Sequence, residues 1–183
     1  MAMKRRAFLS SLAALALLPW HRVLAEGTVR PALDDIRNRW KKLLAPNADI
    51  ATSSAPLKLS AEEWRKRLTT EQYAVLREED TERPFTSPLN HEQRPGVFVC
   101  AGCALPLFTS EMKFDSGTGW PSFFTTIPNA FATRSDFQLI YPRTEYHCAK
   151  CGGHHGHVFN DGPPPTGQRW CNNGIALRFI AKG

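Results

Sequence analysis

The chain has 183 residues, a formal net charge of +6 and five cysteines. This length is enough for one domain with its own core and some additional sequence. The basic excess lies at the N-terminus, because residues 1–25 hold four Lys and Arg residues and no acid, which leaves 19 basic against 17 acidic residues in the remainder. With a net charge of only +2, the chain after residue 25 has no strong electrostatic attraction to nucleic acid, so we expect no nucleic-acid partner.

The first 25 residues have the three parts of a secretory signal peptide. A basic head, Lys4-Arg5-Arg6, precedes an apolar run from Ala7 to Leu18 and the compact cleavage residues Val23-Leu24-Ala25. The segment Arg5-Arg6-Ala7-Phe8-Leu9 resembles the twin-arginine pattern, which directs folded proteins out of the cytoplasm. A membrane anchor is the alternative, but the apolar run is too short for a hydrocarbon core of about 30 Å. We therefore expect cleavage after Ala25 and a periplasmic protein.

An N-terminal extension at 26–56 is predicted to precede the main domain at 57–183. Apolar residues spaced by three and four predict a short amphipathic helix over 31–44. Residues 45–56 are rich in Ala, Ser and Pro and have no period, which predicts a linker.

Two further helices are predicted at the start of the main domain. Ser60 and Glu63 form a capping box that opens a helix through about Leu68. Thr70 is predicted to cap a second helix that runs to about Glu79.

After Pro84 the sequence changes to short aromatic and β-branched runs separated by Gly, Pro and Asn. Because helices come first and strands follow, we predict an α+β chain, mainly β, whose working part is a small antiparallel domain. The predicted strands are Val97–Val99, Phe137–Tyr141, Glu145–Cys148 and Ile175–Ile180.

Four cysteines form two Cys-x-x-Cys pairs, Cys100 with Cys103 and Cys148 with Cys151. Two such turns can place four sulfurs around one tetrahedral ion, which is usually zinc. Two disulfides are the alternative that an oxidising compartment favours. Folding in the cytoplasm before export favours zinc, so the sequence predicts one structural zinc ion per chain.

The fifth cysteine, Cys171, is either a buried inert thiol or a nucleophile. Arg169 would share its face of a strand and favour the thiolate. The nearby His154, His155 and His157 supply imidazoles that can move protons near neutral pH. A second metal site is another interpretation, but no carboxylate cluster is evident beside the histidines in the sequence.

Five segments, in this order, resemble the type B methionine sulfoxide reductases, and the resemblance extends over about residues 57–179. It implies a domain of two antiparallel β-sheets with N-terminal helices, a zinc clamp away from the active site, and reduction of methionine-R-sulfoxide. The segments are Cys100–Cys103, Phe114–Phe123, Cys148–Cys151, His154–Gly162 and Arg169–Phe179.

The resemblance also implies residue roles. Cys171 matches the nucleophile, and Trp120 matches the residue that packs on the substrate methyl group. His154 and His157 match the pair that assists protonation of the sulfoxide oxygen. His155 receives no role, because the family more often has an apolar residue there. The remaining matches are two supporting residues, Asn173 and Arg169, the substrate-binding position Glu145, and Asp161.

The commonest family pattern, Gly-Cys-Gly-Trp, contains a cysteine that resolves the sulfenic acid as a disulfide, and this chain has Thr118 at that position. A zinc ligand could resolve it instead, but that would dismantle the clamp. We therefore expect the reductant to be an external thiol or a thioredoxin-like protein. The expected substrates are peptides and proteins that contain methionine-R-sulfoxide. We also expect a monomeric enzyme that repairs oxidised exported proteins. Two rival functions are a zinc-ribbon-like binding module without turnover and a thiol peroxidase.

Overall fold

The computed structural model describes residues 33–136 and 142–183. The predicted signal peptide at 1–25 and the predicted strand Phe137–Tyr141 lie outside these ranges. Within them, no helix is long and apolar enough to cross a membrane. Helix α1 is described over 33–38 and continues as the 3-10 turn Arg39–Leu43. The predicted amphipathic helix is therefore confirmed over its described part, with a tighter last turn.

Helices α2 (Ala61–Arg67) and α3 (Thr70–Glu78) both begin at capping boxes. The box at Ser60 is the predicted one. The second helix is capped by Thr69, whose side chain accepts the backbone N–H of Gln72 while the Gln72 side chain accepts that of Thr69. The predicted cap at the following residue was wrong by one position, because Gln72 completes the reciprocal pair only with Thr69.

The described residues contain nine strands in two antiparallel sheets, which confirms the mainly β fold with few helices. One sheet has the order β2-β1-β9 and the other the order β3-β4-β8-β7-β6-β5. The strands are β1 (Gly96–Cys100), β2 (Pro106–Thr109), β3 (Lys113–Phe114), β4 (Ser122–Phe123), β5 (Phe131–Asp136), β6 (Arg143–Cys148), β7 (His154–Phe159), β8 (Arg169–Asn172) and β9 (Leu177–Ala181).

Strand β9 begins two residues later than the predicted Ile175–Ile180, because residues Gly174–Ala176 form a 3-10 turn. Six observed strands, β2–β5, β7 and β8, were not predicted from the sequence, and β7 and β8 matter most because they carry the candidate site residues. Both are interior strands of the larger sheet. Their sequences, rich in His, Gly and Asn, lack the aliphatic alternation by which strands are recognised.

An aromatic cluster in the core joins the two sheets. Phe98 on β1 and Phe108 on β2 both pack against Phe123 on β4, at ring-centroid distances of 5.0 and 3.9 Å. All three side chains are fully buried, and each such burial contributes about 1.5–3 kcal/mol. Since β4 pairs directly with β8, this cluster holds the strand that carries Cys171 against the core.

Candidate active site and metal centre

Cys171 lies on β8, between two neighbouring strands. It is directly opposite Ser122 of β4 on one side and His157 of β7 on the other. A Cβ at Gly156, where φ is +153°, would lie 2.0 Å from the Cys171 carbonyl oxygen, so only glycine fits there. The Tyr146 hydroxyl donates to the same oxygen at 3.0 Å. The nucleophile candidate therefore sits on a fixed backbone.

A cavity of about 180 Å³ opens beside Cys171. It brings together four of the residues that the sequence analysis placed in the site: Cys171, Trp120, His157 and Asn173. The other lining residues are Thr81, Arg143, Gly156, Phe159 and Asn172.

The Cys171 thiol is subject to opposing effects. Burial raises its pKa above the ordinary value, while the charge of Arg169 and a hydrogen bond with the Thr118 side chain lower it. Arg169 is held in place by Asp161, which accepts from its Nε at 2.8 Å and from a terminal nitrogen at 2.9 Å. Arg169 therefore favours the thiolate as expected, but burial outweighs it, and the resting site favours the protonated thiol.

His157 faces the cavity and is tied to an acid behind it. Its Nε2 is 2.9 Å from Asp136 Oδ2, and Arg143 donates to the same oxygen at 2.6 Å. Burial lowers the pKa of His157, and the hydrogen bond with Asp136 opposes that shift. The carboxylate orients the imidazole and stabilises its protonated form.

His154 and Glu145 lie behind His157 and do not line the cavity. His154 is buried, and its ring centroid is 5.7 Å from that of His157. Its Nδ1 contacts the Glu145 carboxylate, which also accepts from Arg134 at 2.6 Å. Burial lowers the pKa of His154. Glu145 therefore contacts a predicted proton-transfer residue and has no contact with the cavity.

The structure brings one carboxylate and a further histidine to His154. Glu145, His147 and His154 offer ligand-type atoms that all lie within 4.8 Å of one another. This grouping could not be predicted from the sequence, because β6 and β7 come together only through sheet pairing, which places His147 opposite His154.

Sequence reasoning missed Glu82, which ties three parts of the site together. Its carbonyl accepts the indole N–H of Trp120 at 3.1 Å, and its own N–H donates to Asn173 Oδ1 at 3.1 Å. Its side chain accepts the backbone N–H groups of Gly174 and Ile175, the latter at 3.0 Å. No local pattern singles out Glu82, because three of these partners are about 90 residues away in sequence.

His155 is fully buried on the other face of β7. Its Nδ1 is 3.2 Å from Asn172 Oδ1, and the hydroxyl oxygen of Tyr146 lies 3.0 Å from the same atom. Burial lowers the pKa of His155 to about 3, so the imidazole is neutral at physiological pH. His155 does not line the cavity, and its neutral ring packs in the core against Phe131 and Tyr146.

The four paired cysteines form one buried cluster at the ends of β1 and β6. The Sγ atoms of Cys100 and Cys151 are 3.6 Å apart, those of Cys103 and Cys148 are 3.5 Å apart, and all four lie within 4.8 Å of one another. A tetrahedral ion with Zn–S bonds of about 2.3 Å separates its sulfurs by about 3.8 Å. The cluster therefore fits a Cys₄ metal site, and the sulfurs of these two pairs are much farther apart than the length of a disulfide bond, about 2.05 Å.

Comparison with known proteins identifies the family. The chain matches the SelR domain over residues 68–181. It is 50% identical over 128 residues to peptide methionine sulfoxide reductase MsrB of Agrobacterium fabrum, covering 69% of this chain and 95% of that protein. It is 49% identical over 138 residues to the MsrB of Bradyrhizobium diazoefficiens, covering 75% and 99%. The chain belongs to the type B peptide methionine sulfoxide reductase family.

A chloroplastic type B reductase of Arabidopsis thaliana is 48% identical over 136 residues, which cover 74% of this chain and 67% of that protein. The family's members are oxidoreductases, which confirms the predicted enzyme class. Among solved structures, a Mis18 'Yippee-like' domain is similar at a TM-score of 0.39 and 17% identity over 49% of this chain and 99% of that one, a likeness too distant to bear on function.

Proposed function

We propose that this type B reductase converts methionine-R-sulfoxide in peptides and proteins to methionine and consumes thiols in doing so. The observation that carries the proposal is the partly exposed Cys171 in the wall of a cavity with Trp120 and His157, in a member of this family. The cavity volume of about 180 Å³ is below the roughly 300–1,000 Å³ of ordinary small-molecule sites. That size suits one side chain of a larger substrate.

In the first step, Cys171 attacks the sulfoxide sulfur. A sulfoxide sulfur accepts a nucleophile only as its oxygen is protonated, so a thiol and a proton donor must act on the same group. His157 is the donor that faces the cavity, and Trp120 supplies an apolar surface for the substrate methyl group. The oxygen passes to Cys171 as a sulfenic acid, and the substrate leaves as the thioether, so the step balances with no outside reductant.

Two thiols complete the cycle. The first condenses with the sulfenic acid to give a mixed disulfide and water, and the second reduces that disulfide and restores Cys171. Thr118, whose side chain lowers the pKa of the Cys171 thiol, occupies the position from which a resolving cysteine would act. Because the other four cysteines are clustered elsewhere as a metal site, the reducing thiols come from outside, from a small thiol or a thioredoxin-like protein.

Zinc is the proposed ion of the Cys₄ site, where it supplies structural cross-linking between the two sheets. One ion per chain is expected, and Cys148→Ser should unfold the domain rather than only lower its activity. Zinc-free protein purified from a reducing cytoplasm would contradict this assignment.

We further propose that the enzyme is monomeric and acts in the periplasm on oxidised exported proteins. The supporting pattern is the twin-arginine-like segment at residues 5–9. Replacing Arg5 and Arg6 with lysines should leave the precursor in the cytoplasm, and the exported chain should begin at Glu26. Exported protein that retains Met1 would support an anchor instead.

The test of activity is turnover of a peptide containing methionine-R-sulfoxide, with dithiothreitol as reductant. Methionine should be produced from the R epimer and not from the S epimer, and Cys171→Ser should abolish turnover. No turnover by the zinc-loaded protein would favour a binding module, whereas turnover of hydrogen peroxide alone would favour a thiol peroxidase.

A further inference from the structure

Phe85 is an exposed aromatic residue in the segment that precedes the first strand. Its side chain is 71% exposed, and within residues 33–136 and 142–183 it is the one large hydrophobic side chain that lies mostly in solvent. Covering this apolar ring with an apolar partner would be favourable, because it removes the ring from water.

The backbone of Phe85 is also unusual. Its φ is +65°, in the left-handed region that a bulky side chain rarely adopts. Five non-glycine residues of the described ranges have a positive φ, and Phe85 is the one aromatic among them; the others are Asn47, Glu79, Ala104 and Asn129. An unfavourable conformation that also exposes an aromatic ring points to a functional use of that ring.

The position of Phe85 connects it to the reacting group. Its N–H donates to the Gly119 carbonyl oxygen at 2.7 Å, and a Cβ at Gly119 would lie 2.9 Å from the Phe85 ring. Gly119 directly precedes Trp120, which lines the cavity, and Thr81 on the same segment as Phe85 lines it too. The exposed Phe85 ring therefore lies against the residue that precedes Trp120, next to one part of the cavity wall.

We propose that Phe85 is a binding site for an apolar side chain of the substrate polypeptide next to the oxidised methionine. This inference rests on the proposed reductase function. The cavity accommodates a single side chain, so the rest of a protein substrate must lie outside it, across its rim. An exposed phenyl ring at that rim recognises leucine-like or aromatic neighbours and gains little from acidic or small polar ones. The preferred substrates are thus methionine sulfoxides within apolar, locally exposed stretches of chain.

The test compares three R-sulfoxide substrates: N-acetylmethionine sulfoxide, Ac-Leu-Met(O)-Leu-NH2 and Ac-Ser-Met(O)-Ser-NH2. The main variant is Phe85→Asn, because asparagine tolerates a positive φ, so the ring is removed without adding backbone strain. Phe85→Tyr is the matched control that keeps an aromatic ring at the same place. Thermal unfolding of each variant shows whether it is folded.

In the unmodified enzyme, kcat/KM for the leucine peptide should exceed that for the serine peptide by about tenfold, mainly through KM. Tenfold corresponds to about 1.4 kcal/mol. Phe85→Asn should bring this ratio close to one, and Phe85→Tyr should preserve it. A ratio that Phe85→Asn leaves unchanged, or that is already one in the unmodified enzyme, overturns the inference. Failure of the unmodified enzyme on all three substrates would instead overturn the proposed function.

Discussion

Replacing Glu82 with glutamine should destabilise the protein and the site together. The buried carboxylate accepts two consecutive backbone N–H groups, those of Gly174 and Ile175, at the start of the 3-10 turn that follows the nucleophile strand. Glutamine has one acceptor oxygen, and its NH₂ group would face the second N–H donor. The loss of one hydrogen bond to a charged group, with a buried donor left unpaired, should cost about 2–3 kcal/mol.

For a chain of this size, that cost lowers Tm by about 5–10 °C. The assay is thermal unfolding of the zinc-loaded protein, with kcat and KM measured on the R-sulfoxide peptide. Because the Glu82 backbone also holds Trp120 and Asn173, we expect kcat/KM to fall as well. Glu111→Gln is the matched control, since the Glu111 carboxylate accepts two hydrogen bonds from Arg39 at the protein surface. Ion pairs at the surface contribute little to the free energy of unfolding. Equal Tm values for the two variants would refute the reasoning.

Three other changes test separate parts of the account. Thr118→Cys should form a disulfide with Cys171 after one turnover and raise thioredoxin-linked activity, because the Thr118 side chain is close enough to the thiol to lower its pKa. Mass spectrometry that finds no disulfide between residues 118 and 171 after turnover would contradict this prediction. Arg169→Met should shift the pH midpoint of Cys171 alkylation by iodoacetamide upward, since the Arg169 charge lowers that pKa, and a downward shift would exclude this role. In urea unfolding, the stability of the unmodified protein should fall as the pH drops from about 6.5 towards 3, because the unfolded chain binds a proton that buried neutral His155 does not. His155→Leu should flatten this decline. Identical slopes for the two proteins would show that His155 does not contribute to it.

Local sequence patterns predicted the features that depend on neighbouring residues. The Ser60 capping box, the helix that ends at Leu43 and the two Cys-x-x-Cys turns each involve residues a few positions apart, so their spacing is informative. Assembly of the two sheets was predicted from the family resemblance, since local periodicity specifies neither strand order nor register.

The parts of the site that sequence reasoning missed depend on long-range contacts. Asp136 supports His157 across two strand pairings, and Glu82 supports Trp120 from a loop before the first strand. The predicted pairing of His154 with His157 is present, but only His157 faces the cavity. Sequence order alone could not separate these two imidazoles, because an irregularity in the β6–β7 pairing changes how the residues of β7 are placed.

The central claim is that Cys171 is the sole thiol oxidised during reduction of the sulfoxide. The most direct measurement is a single turnover of the zinc-loaded enzyme on excess R-sulfoxide peptide without reductant, followed by counts of thiols, zinc and methionine. The account predicts one methionine formed, one thiol lost, a sulfenic acid adduct on Cys171 and all of the zinc retained. Loss of two thiols with release of zinc would show that a metal ligand resolves the intermediate, and would contradict the roles assigned to Thr118 and to the Cys₄ cluster.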